Sequence, residues 1–325
     1  MAPHVVICDA KSPAADGLEA NILAEYDIEA SYETASTEAD AVNAIGNADG
    51  VMLDSNVPVT EDVLRELPNL KVVARAGIGV DNVDIDAAHE LGMTVLHHPT
   101  YCIDEVATHA LGLALSAVRK LPMLEHDART RAGIVGDSES IHRFASSTVG
   151  IVGFGKIGRR FATILTGFGC DVLAHDPYVD PNVIAAYNVE PVSFETLLEQ
   201  SHVLSLHVPL TPTTEGMIDA DALSRMREDA VLINTARGPV IDTDALVDAV
   251  EDGSIGYACL DVTAPEPLPE DHALFDLENV IITPHMAWYS DESRAQLRAE
   301  VARDVGRTLR GERPANPVTP DMPWV

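Results

Sequence analysis

The most informative motif of this chain is T-V-G-I-V-G-F-G-K-I-G, residues 148–158. Its first seven residues form a short apolar run, which is typical of a strand covered on both faces. Its last six residues have the spacing G-x-G-x-x-G, and a helical run follows them. Glycines alone are a weak signal because they recur in turns. Placed between a strand and a helix, however, they predict a dinucleotide-binding βαβ unit.

Each glycine of this motif has a physical task. Gly153 allows the tight turn, Gly155 lets the backbone approach a pyrophosphate, and Gly158 lets the helix pack closely on the strand. The first turn of the helix directs N–H groups and the positive end of its dipole towards the phosphates. We therefore expect the backbone at Lys156 and Ile157 to contact the cofactor.

Asp176 ends the next predicted strand after this motif. A carboxylate at that place can accept hydrogen bonds from both ribose hydroxyls and would repel a 2′-phosphate. The pattern therefore favours NAD over NADP. The alternative interpretation is a structural turn followed by a solvated aspartate.

Apolar strands alternate with helical stretches on both sides of the motif, which predicts an α/β fold with parallel sheets. The predicted strands cover residues 4–9, 50–54, 71–74, 94–97, 148–154, 170–175, 202–208, 230–236, 255–262 and 279–283. Helical spacing of apolar residues predicts one long helix over residues 101–121, and residues 131–147 lack a clear period. A last helix is predicted over residues 290–310. The 325 residues suffice for two domains.

The composition argues against several classes of protein. Asp and Glu total 52 against 21 for Lys and Arg, a formal charge of −31 that would repel nucleic acid. The chain lacks both a stretch of roughly 20 apolar residues and a signal-peptide pattern at its start, so we expect a cytoplasmic protein away from membranes. Four cysteines without a C-x-x-C pair suggest neither a metal site nor a disulfide framework. Acidic residues spread along the chain favour adaptation to high salt, where screening limits their repulsion.

Three residues that can carry chemistry each follow a separate predicted strand downstream of the glycine motif. They are Arg237 in N-T-A-R-G (234–238), Glu266 in L-D-V-T-A-P-E-P (260–267) and His285 in I-I-T-P-H (281–285). Taken singly, each could be a solvated or packed loop residue. A parallel sheet gathers its strand ends on one rim. We therefore expect cation, carboxylate and imidazole to converge beside a nicotinamide, which is what reduction of a 2-oxo acid requires.

At this point the chain resembles the D-2-hydroxyacid dehydrogenase family over nearly its whole length. The matching stretches are R-A-G-I-G-V-D-N-V-D, V-G-I-V-G-F-G-K-I-G, H-V-P-L-T-P-T-T, N-T-A-R-G, L-D-V-x-x-x-E-P and T-P-H. The resemblance implies two Rossmann-like, doubly wound parallel-sheet domains. The outer, substrate-binding domain would be discontinuous, with residues 1–100 and 289–325, and residues 101–288 would bind NAD. The long helix and the family together imply a homodimer.

The resemblance also implies roles for the three residues. Arg237 would hold the carboxylate of a 2-oxo acid and polarise its C2 carbonyl. His285 would donate a proton to that oxygen during reduction and accept it in the reverse direction. Glu266 would hydrogen-bond His285 and keep the imidazolium form available near neutrality.

Further contacts are implied by the same resemblance. The substrate would be contacted by Arg75, Gly77, Ile78, Gly79 and Trp288. The cofactor would be contacted by Val208, Pro209 and Thr214 on its adenosine half, by Thr235 and Ala236 near the nicotinamide ribose, and by Asp261 at the nicotinamide amide. Ala110 stands where the family has a phosphate-facing threonine, so one pyrophosphate contact is expected to be absent.

Within the family, H-M-A-W-Y-S-D-E-S (285–293) and Y-C-I-D-E-V-A (101–107) resemble the C-terminal-binding-protein branch. Members of that branch act as NAD(H)-sensing corepressors, so an alternative function is a scaffold without significant turnover. Trp288 favours an apolar or aromatic side chain on the oxo acid. No extra regulatory domain follows residue 325, which weakens the interpretation as a phosphoglycerate dehydrogenase.

Overall fold

Short apolar strands alternate with helices along the chain, and these elements group into two units. The computed structural model describes residues 2–9, 17–130 and 141–322. One unit consists of Met1–Cys102 and Ser290–Val325, and the other of Ile103–Tyr289. Each unit is built on its own, mainly parallel sheet with helices between the strands. The predicted fold class of two Rossmann-like parallel-sheet domains is confirmed.

The N-terminal part of the first unit alternates strands and helices throughout. Its elements are β1 (His4–Asp9), α1 (Leu18–Ala24), β2 (Glu29–Thr34), α2 (Glu38–Ile45), β3 (Gly50–Leu53), α3 (Glu61–Arg65), β4 (Val72–Arg75), α4 (Ile85–Glu90) and β5 (Thr94–Leu96). The strands are parallel in the order β5-β4-β3-β1-β2. The central strands β3 and β4 are entirely buried, which explains their continuous apolar sequences.

The second unit starts with two helices and continues as a second parallel sheet. Its elements are α5 (Ile103–Val118), α6 (Leu121–Thr130), β6 (Thr148–Val152), α7 (Lys156–Leu165), β7 (Asp171–His175), α8 (Pro181–Ala185), β8 (Glu190–Pro191), α9 (Phe194–Gln200), β9 (Val203–Leu206), α10 (Ala220–Arg225), β10 (Val231–Asn234), α11 (Thr243–Glu251), β11 (Tyr257–Leu260) and β12 (Val280–Ile282). The strand order is β12-β11-β10-β9-β6-β7-β8. The order therefore reverses at β6, where α/β sheets bind their ligands.

The C-terminal segment returns to the first unit. Helix α12 (Asp291–Leu309) packs against α1 and the first sheet, and β13 (Pro317–Val318) pairs antiparallel with β5. Ser290 begins the helix with a capping box, in which the side chains of Ser290 and Ser293 each accept a backbone N–H of the other residue.

Two sequence expectations are corrected by these elements. The single long helix predicted over residues 101–121 ends at Val118, because Lys120 has a left-handed φ of 51°, and α6 starts separately. No strand was predicted after residue 283, but Pro317–Val318 forms β13. Of the predicted connection over 131–147, residues 131–140 lie outside the described part.

Within residues 2–9, 17–130 and 141–322, no helix combines the length and the apolar character needed to cross a membrane.

Candidate active site

The strands of the second unit end together on one rim of the sheet. The last residues of six strands form an unbroken row of register partners: His175, Val152, Leu206, Asn234, Leu260 and Ile282. The loops that follow these strands therefore start side by side. This row explains why polar residues far apart in sequence share one surface.

Glu266 and His285 form a direct contact on this rim. The Nδ1 atom of His285 lies 2.6 Å from Oε1 of Glu266, and both side chains are partly exposed, His285 by 31% and Glu266 by 40%. A carboxylate can only accept a hydrogen bond, so the proton of this pair belongs to Nδ1 of His285. The other ring nitrogen, Nε2, takes no part in this contact.

The surroundings of Glu266 keep its carboxyl group ionised. Partial burial by itself raises the pKa of Glu266, but the hydrogen bond from His285, the charge of His285, the N–H of Thr263 and the charge of Arg237 act in the other direction. The net pKa of Glu266 lies below its usual value. Glu266 can therefore support a positive charge on His285.

Arg237 is brought to the same place by the turn after β10. Asn234, the last residue of β10, is fully buried. Its Oδ1 accepts the N–H of Ala236 at 3.0 Å, and its Nδ2 donates to the carbonyl of Arg237 at 2.8 Å. Gly238 completes the turn, since a Cβ there would lie 2.0 Å from the carbonyl oxygen of Thr263. The structure thus places His285 in contact with Glu266, and Arg237 near enough for its charge to lower the pKa of Glu266.

The backbone of His285 has a left-handed φ of 54°, which is uncommon outside glycine. Its N–H donates to the carbonyl of Asp261 at 2.8 Å, and its own carbonyl accepts the indole N–H of Trp288 at 3.0 Å. Trp288 therefore supports the loop that carries His285, in addition to the predicted substrate contact.

Asp261 has a different environment from the one expected. Its carboxylate is completely buried and accepts the hydroxyl of Thr283 and the N–H groups of Met286 and Ala287. In this arrangement the carboxylate is directed at the loop before Trp288. The predicted contact with the nicotinamide amide stays a prediction.

The glycine motif has the shape that a dinucleotide needs. Gly153 has a φ of 90°, and a Cβ there would lie 2.6 Å from the carbonyl oxygen of His207. A Cβ at Gly158 would lie 2.2 Å from the oxygen of Gly153. At Gly155, by contrast, a Cβ would meet open space among the described residues. Gly155 is also the N-cap of α7 and has no side chain to occupy the first-turn N–H groups, including those of Lys156 and Ile157.

Asp176 and Thr235 also have polar atoms that an NAD molecule could use. Asp176 accepts the N–H groups of Phe154 at 2.7 Å and Tyr178 at 2.9 Å, which leaves lone pairs of the carboxylate for ribose hydroxyls. Within the described part of the chain, the buried hydroxyl of Thr235 has no hydrogen-bond partner. A buried polar atom of this kind usually awaits a ligand or water. These observations fit an NAD molecule along the rim.

The other predicted cofactor residues lie in the loops of the same rim. Val208, Pro209 and Thr214 follow β9, where the Thr214 hydroxyl donates to the carbonyl of Pro209 at 2.6 Å. Ala236 lies in the turn after β10.

In the first unit, the predicted substrate loop follows β4. Three of its carbonyls are held from within the unit: that of Ala76 by Nη1 of Arg75, that of Gly77 by the N–H of His98, and that of Ile78 by Nδ1 of His97. In a trans peptide, the N–H of the next residue points the opposite way. The N–H groups of Ile78 and Gly79 are therefore directed away from the two histidines.

Two details of this loop differ from expectation. The N–H of Gly77 donates to the carbonyl of Arg75 at 2.9 Å, so it is engaged within the loop and is not presented to a ligand. Arg75 is buried, and its guanidinium lies under Gly77, where a Cβ would come within 1.2 Å of Nη1. Arg75 therefore packs against the backbone of the loop at Gly77.

Sequence reasoning missed Asn234, His97, His109 and Thr283. Each is a short or aromatic polar side chain bonded to backbone or to a neighbouring side chain. The available signal was their place directly at strand ends, except for His109, which lies within α5.

Comparison with known proteins gives concordant matches. The family model described as "D-isomer specific 2-hydroxyacid dehydrogenase, NAD binding domain" matches residues 111–287. D-3-phosphoglycerate dehydrogenase of Mycobacterium leprae is 42% identical over 270 residues, which cover 83% of this chain and 51% of that protein. Glycerate dehydrogenase of Methylorubrum extorquens is 36% identical over 321 residues, which cover 96% of this chain and 98% of that protein.

A solved structure agrees with these relatives. D-lactate dehydrogenase from Aquifex aeolicus, in complex with NAD and lactic acid, superposes with a TM-score of 0.84 at 30% identity, covering 94% of this chain and 96% of that one. The chain spans about half the length of the phosphoglycerate dehydrogenases it matches.

Proposed function

Because the chain belongs to the D-isomer-specific 2-hydroxyacid dehydrogenase family, we propose that it interconverts a 2-oxo acid and a D-2-hydroxy acid with NAD. The observation that carries this proposal is the contact of 2.6 Å between Glu266 and His285, with Arg237 close enough to lower the pKa of Glu266. An acid–base pair beside a fixed cation suits a substrate with an anionic end and a carbonyl to be protonated.

Each residue has a distinct task in the proposed reaction. Arg237 binds the substrate carboxylate and draws electron density from the C2 carbonyl. Nε2 of His285 gives its proton to that oxygen during reduction, while Nδ1 stays bonded to Glu266. The nicotinamide, when bound, supplies the hydride or takes it up. The expectation that Ile78 and Gly79 of the first unit contact the substrate stays a prediction.

The test is oxidation of NADH with a panel of 2-oxo acids that includes pyruvate, hydroxypyruvate and aromatic oxo acids, run at high salt. We expect turnover of at least one of them, formation of the D-isomer, and loss of turnover in Arg237→Ala with NADH binding retained. Absence of turnover with every oxo acid, under conditions where NADH binds, would contradict the proposal.

The stretch around Trp288 supports a second candidate, a scaffold of the C-terminal-binding-protein type that assembles with NAD(H). The same panel separates the two. A protein that turns over no 2-oxo acid but dimerises when NADH is added would favour the scaffold. If the protein is an enzyme, Trp288 and the partly exposed Met286 and Tyr289 favour an oxo acid with an apolar side chain.

We also propose that the protein is a homodimer adapted to high salt. The formal charge of −31 supports the adaptation to high salt. Helix α6 supports the homodimer, since it has no buried residue within the described chain although it carries Leu121, Met123 and Leu124. Sedimentation at low and high salt tests both.

A further inference from the structure

A continuous chain of hydrogen bonds links helix α5 to the loop that carries His285. Nε2 of His109 lies 3.0 Å from the hydroxyl oxygen of Thr283, and that hydroxyl lies 2.5 Å from Oδ1 of Asp261. Asp261 in turn accepts the N–H of Met286 on Oδ1 at 2.9 Å and that of Ala287 on Oδ2 at 2.8 Å. The catalytic histidine lies between these anchored positions.

The direction of each hydrogen bond follows from counting protons. The Asp261 carboxylate can only accept, so the single hydroxyl proton of Thr283 is donated to it. The oxygen of Thr283 must then accept a hydrogen bond from His109, which places a proton on Nε2 of His109. Each member of the chain thereby fixes the orientation of the next.

The loop that carries His285 depends on these linked hydrogen bonds for its shape. It leaves β12, which lies at the edge of the sheet and is only partly buried. His285 adopts a left-handed backbone conformation there, which needs support from surrounding contacts. The N–H of His285 donates to the main-chain carbonyl of Asp261. Asp261 thus holds the loop by its main chain and by both carboxylate oxygens.

We propose that Asp261, Thr283 and His109 are positioning residues that fix the His285 loop in the geometry needed for proton transfer. The proposal rests on the proposed dehydrogenase function and extends it to residues that touch neither the proton nor the hydride. Thr283 is the key member, because it connects the partly exposed His109 to the fully buried Asp261.

The primary test is Thr283→Val, which keeps the shape of the side chain and removes the hydroxyl. We expect kcat to fall between about tenfold and a hundredfold, because small displacements of a catalytic group have effects of this size. The Kd for NADH should stay within about twofold, since binding energy and proton transfer are separable. Thr283→Ser, which restores the hydroxyl, should recover most of kcat.

Two further variants complete the design. His109→Leu, at a partly exposed position, should lower kcat in the same direction, and His109→Gln, whose amide can donate to Thr283, should lower it less. Thr108→Val is the matched control, because the Thr108 hydroxyl bonds only to carbonyls of its own helix among the described contacts. That control should retain wild-type kcat.

Hydrogen exchange tests the positioning role independently of the proposed dehydrogenase activity. The amides of Met286 and Ala287 should exchange about tenfold faster in Thr283→Val than in the wild type if Asp261 loses its anchor. This measurement needs no substrate, so it decides the positioning role even if no 2-oxo acid is turned over. Unchanged exchange at both amides, or a Thr283→Val variant with wild-type kcat, would overturn the proposal.

Discussion

His285 has a left-handed backbone conformation, which is unfavourable for a residue with a Cβ. A left-handed residue with a Cβ is disfavoured by about 1–2 kcal/mol, and here hydrogen bonds from His285 to Asp261 and from Trp288 to His285 offset that term. The ring is then placed so that Nδ1 meets Glu266. The backbone geometry of His285 and its proposed acid–base chemistry therefore depend on one short loop.

The lowered pKa of Glu266 predicts how this pair affects stability as pH changes. A carboxyl group whose pKa is lower in the folded protein stabilises the fold fully above its unfolded pKa, for which the usual value is 4.5. That contribution is lost as the pH falls through the lower, folded pKa. The difference in free energy of unfolding between wild type and Glu266→Gln should therefore shrink as the pH falls below 4.5.

Urea unfolding at several pH values measures this difference. Glu251→Gln, at an exposed position on α11, controls for the removal of one negative charge from an acidic protein. A difference between wild type and Glu266→Gln that grows as the solution becomes more acidic would contradict the assignment.

Two glycines of the same motif, Gly155 before helix α7 and Gly158 within it, have different surroundings. Gly158 faces protein, since a Cβ there would lie 2.2 Å from the oxygen of Gly153, whereas Gly155 faces open space among the described residues. Gly158 therefore serves packing, and Gly155 is proposed to serve the cofactor. The sequence predicts both tasks, because the spacing of the motif places each glycine relative to the strand and the helix.

Alanine substitution should separate these tasks. Gly155→Ala is expected to fold with unchanged Tm and to bind NADH about tenfold more weakly, a loss of about 1.4 kcal/mol. Gly158→Ala is expected to lose about 1–3 kcal/mol of unfolding free energy, because the helix must move from the strand. Thermal melts and NADH fluorescence titrations measure the two effects, and equal behaviour of both variants would contradict the assignment.

Helix α12 is attached to the first unit by an ion pair that sequence patterns could not predict. Arg298 forms two hydrogen bonds of 2.5 Å with Glu19 of α1, across 279 positions, and the hydroxyl of Tyr32 also contacts Glu19. Both charged side chains are largely buried. The surrounding sequence carries no local sign of this partnership, because each residue alone looks like a helix surface charge.

Removal of one partner should be more harmful than removal of both. Arg298→Met leaves the Glu19 carboxylate buried without its main cation and should destabilise the protein by about 3 kcal/mol. The double variant Glu19→Leu with Arg298→Met should be more stable than the single variant, since no charge remains to be desolvated. Chemical denaturation of the three proteins tests this order, and a double variant less stable than Arg298→Met would contradict it.

Across the whole chain, hydrophobic patterning predicted the buried elements better than the exposed ones. Strands β6 and β10 are continuous apolar runs, and both were predicted. Strand β2 was missed because it lies at a sheet edge and has the polar sequence E-A-S-Y-E-T. Strand-end reasoning predicts that Glu266 and His285 lie on the same rim, whereas their hydrogen bond was expected from the family resemblance. The link from His109 to Thr283 does not, because a histidine within a helix gives no sign of which distant loop it meets.

The acidic surface predicts a stability that depends on salt. Repulsion among the excess of acidic residues, 52 against 21 basic ones, is screened over shorter distances as salt rises, so Tm should increase from about 0.1 M to about 3 M KCl. Replacement of the exposed pair Asp248→Asn and Glu251→Gln should lessen this dependence. A Tm that is independent of KCl would refute adaptation to high salt.

The proposed role of His285 is tested by the rate of 2-oxo acid reduction by His285→Gln, measured beside the Kd of this variant for NADH. Glutamine keeps a polar side chain of similar size but cannot donate a proton as an acid. We predict a fall in kcat of at least about a hundredfold with NADH binding unchanged. A His285→Gln enzyme that reduces the oxo acid at the wild-type rate would contradict the claim that His285, supported by Glu266, is the acid of the reaction.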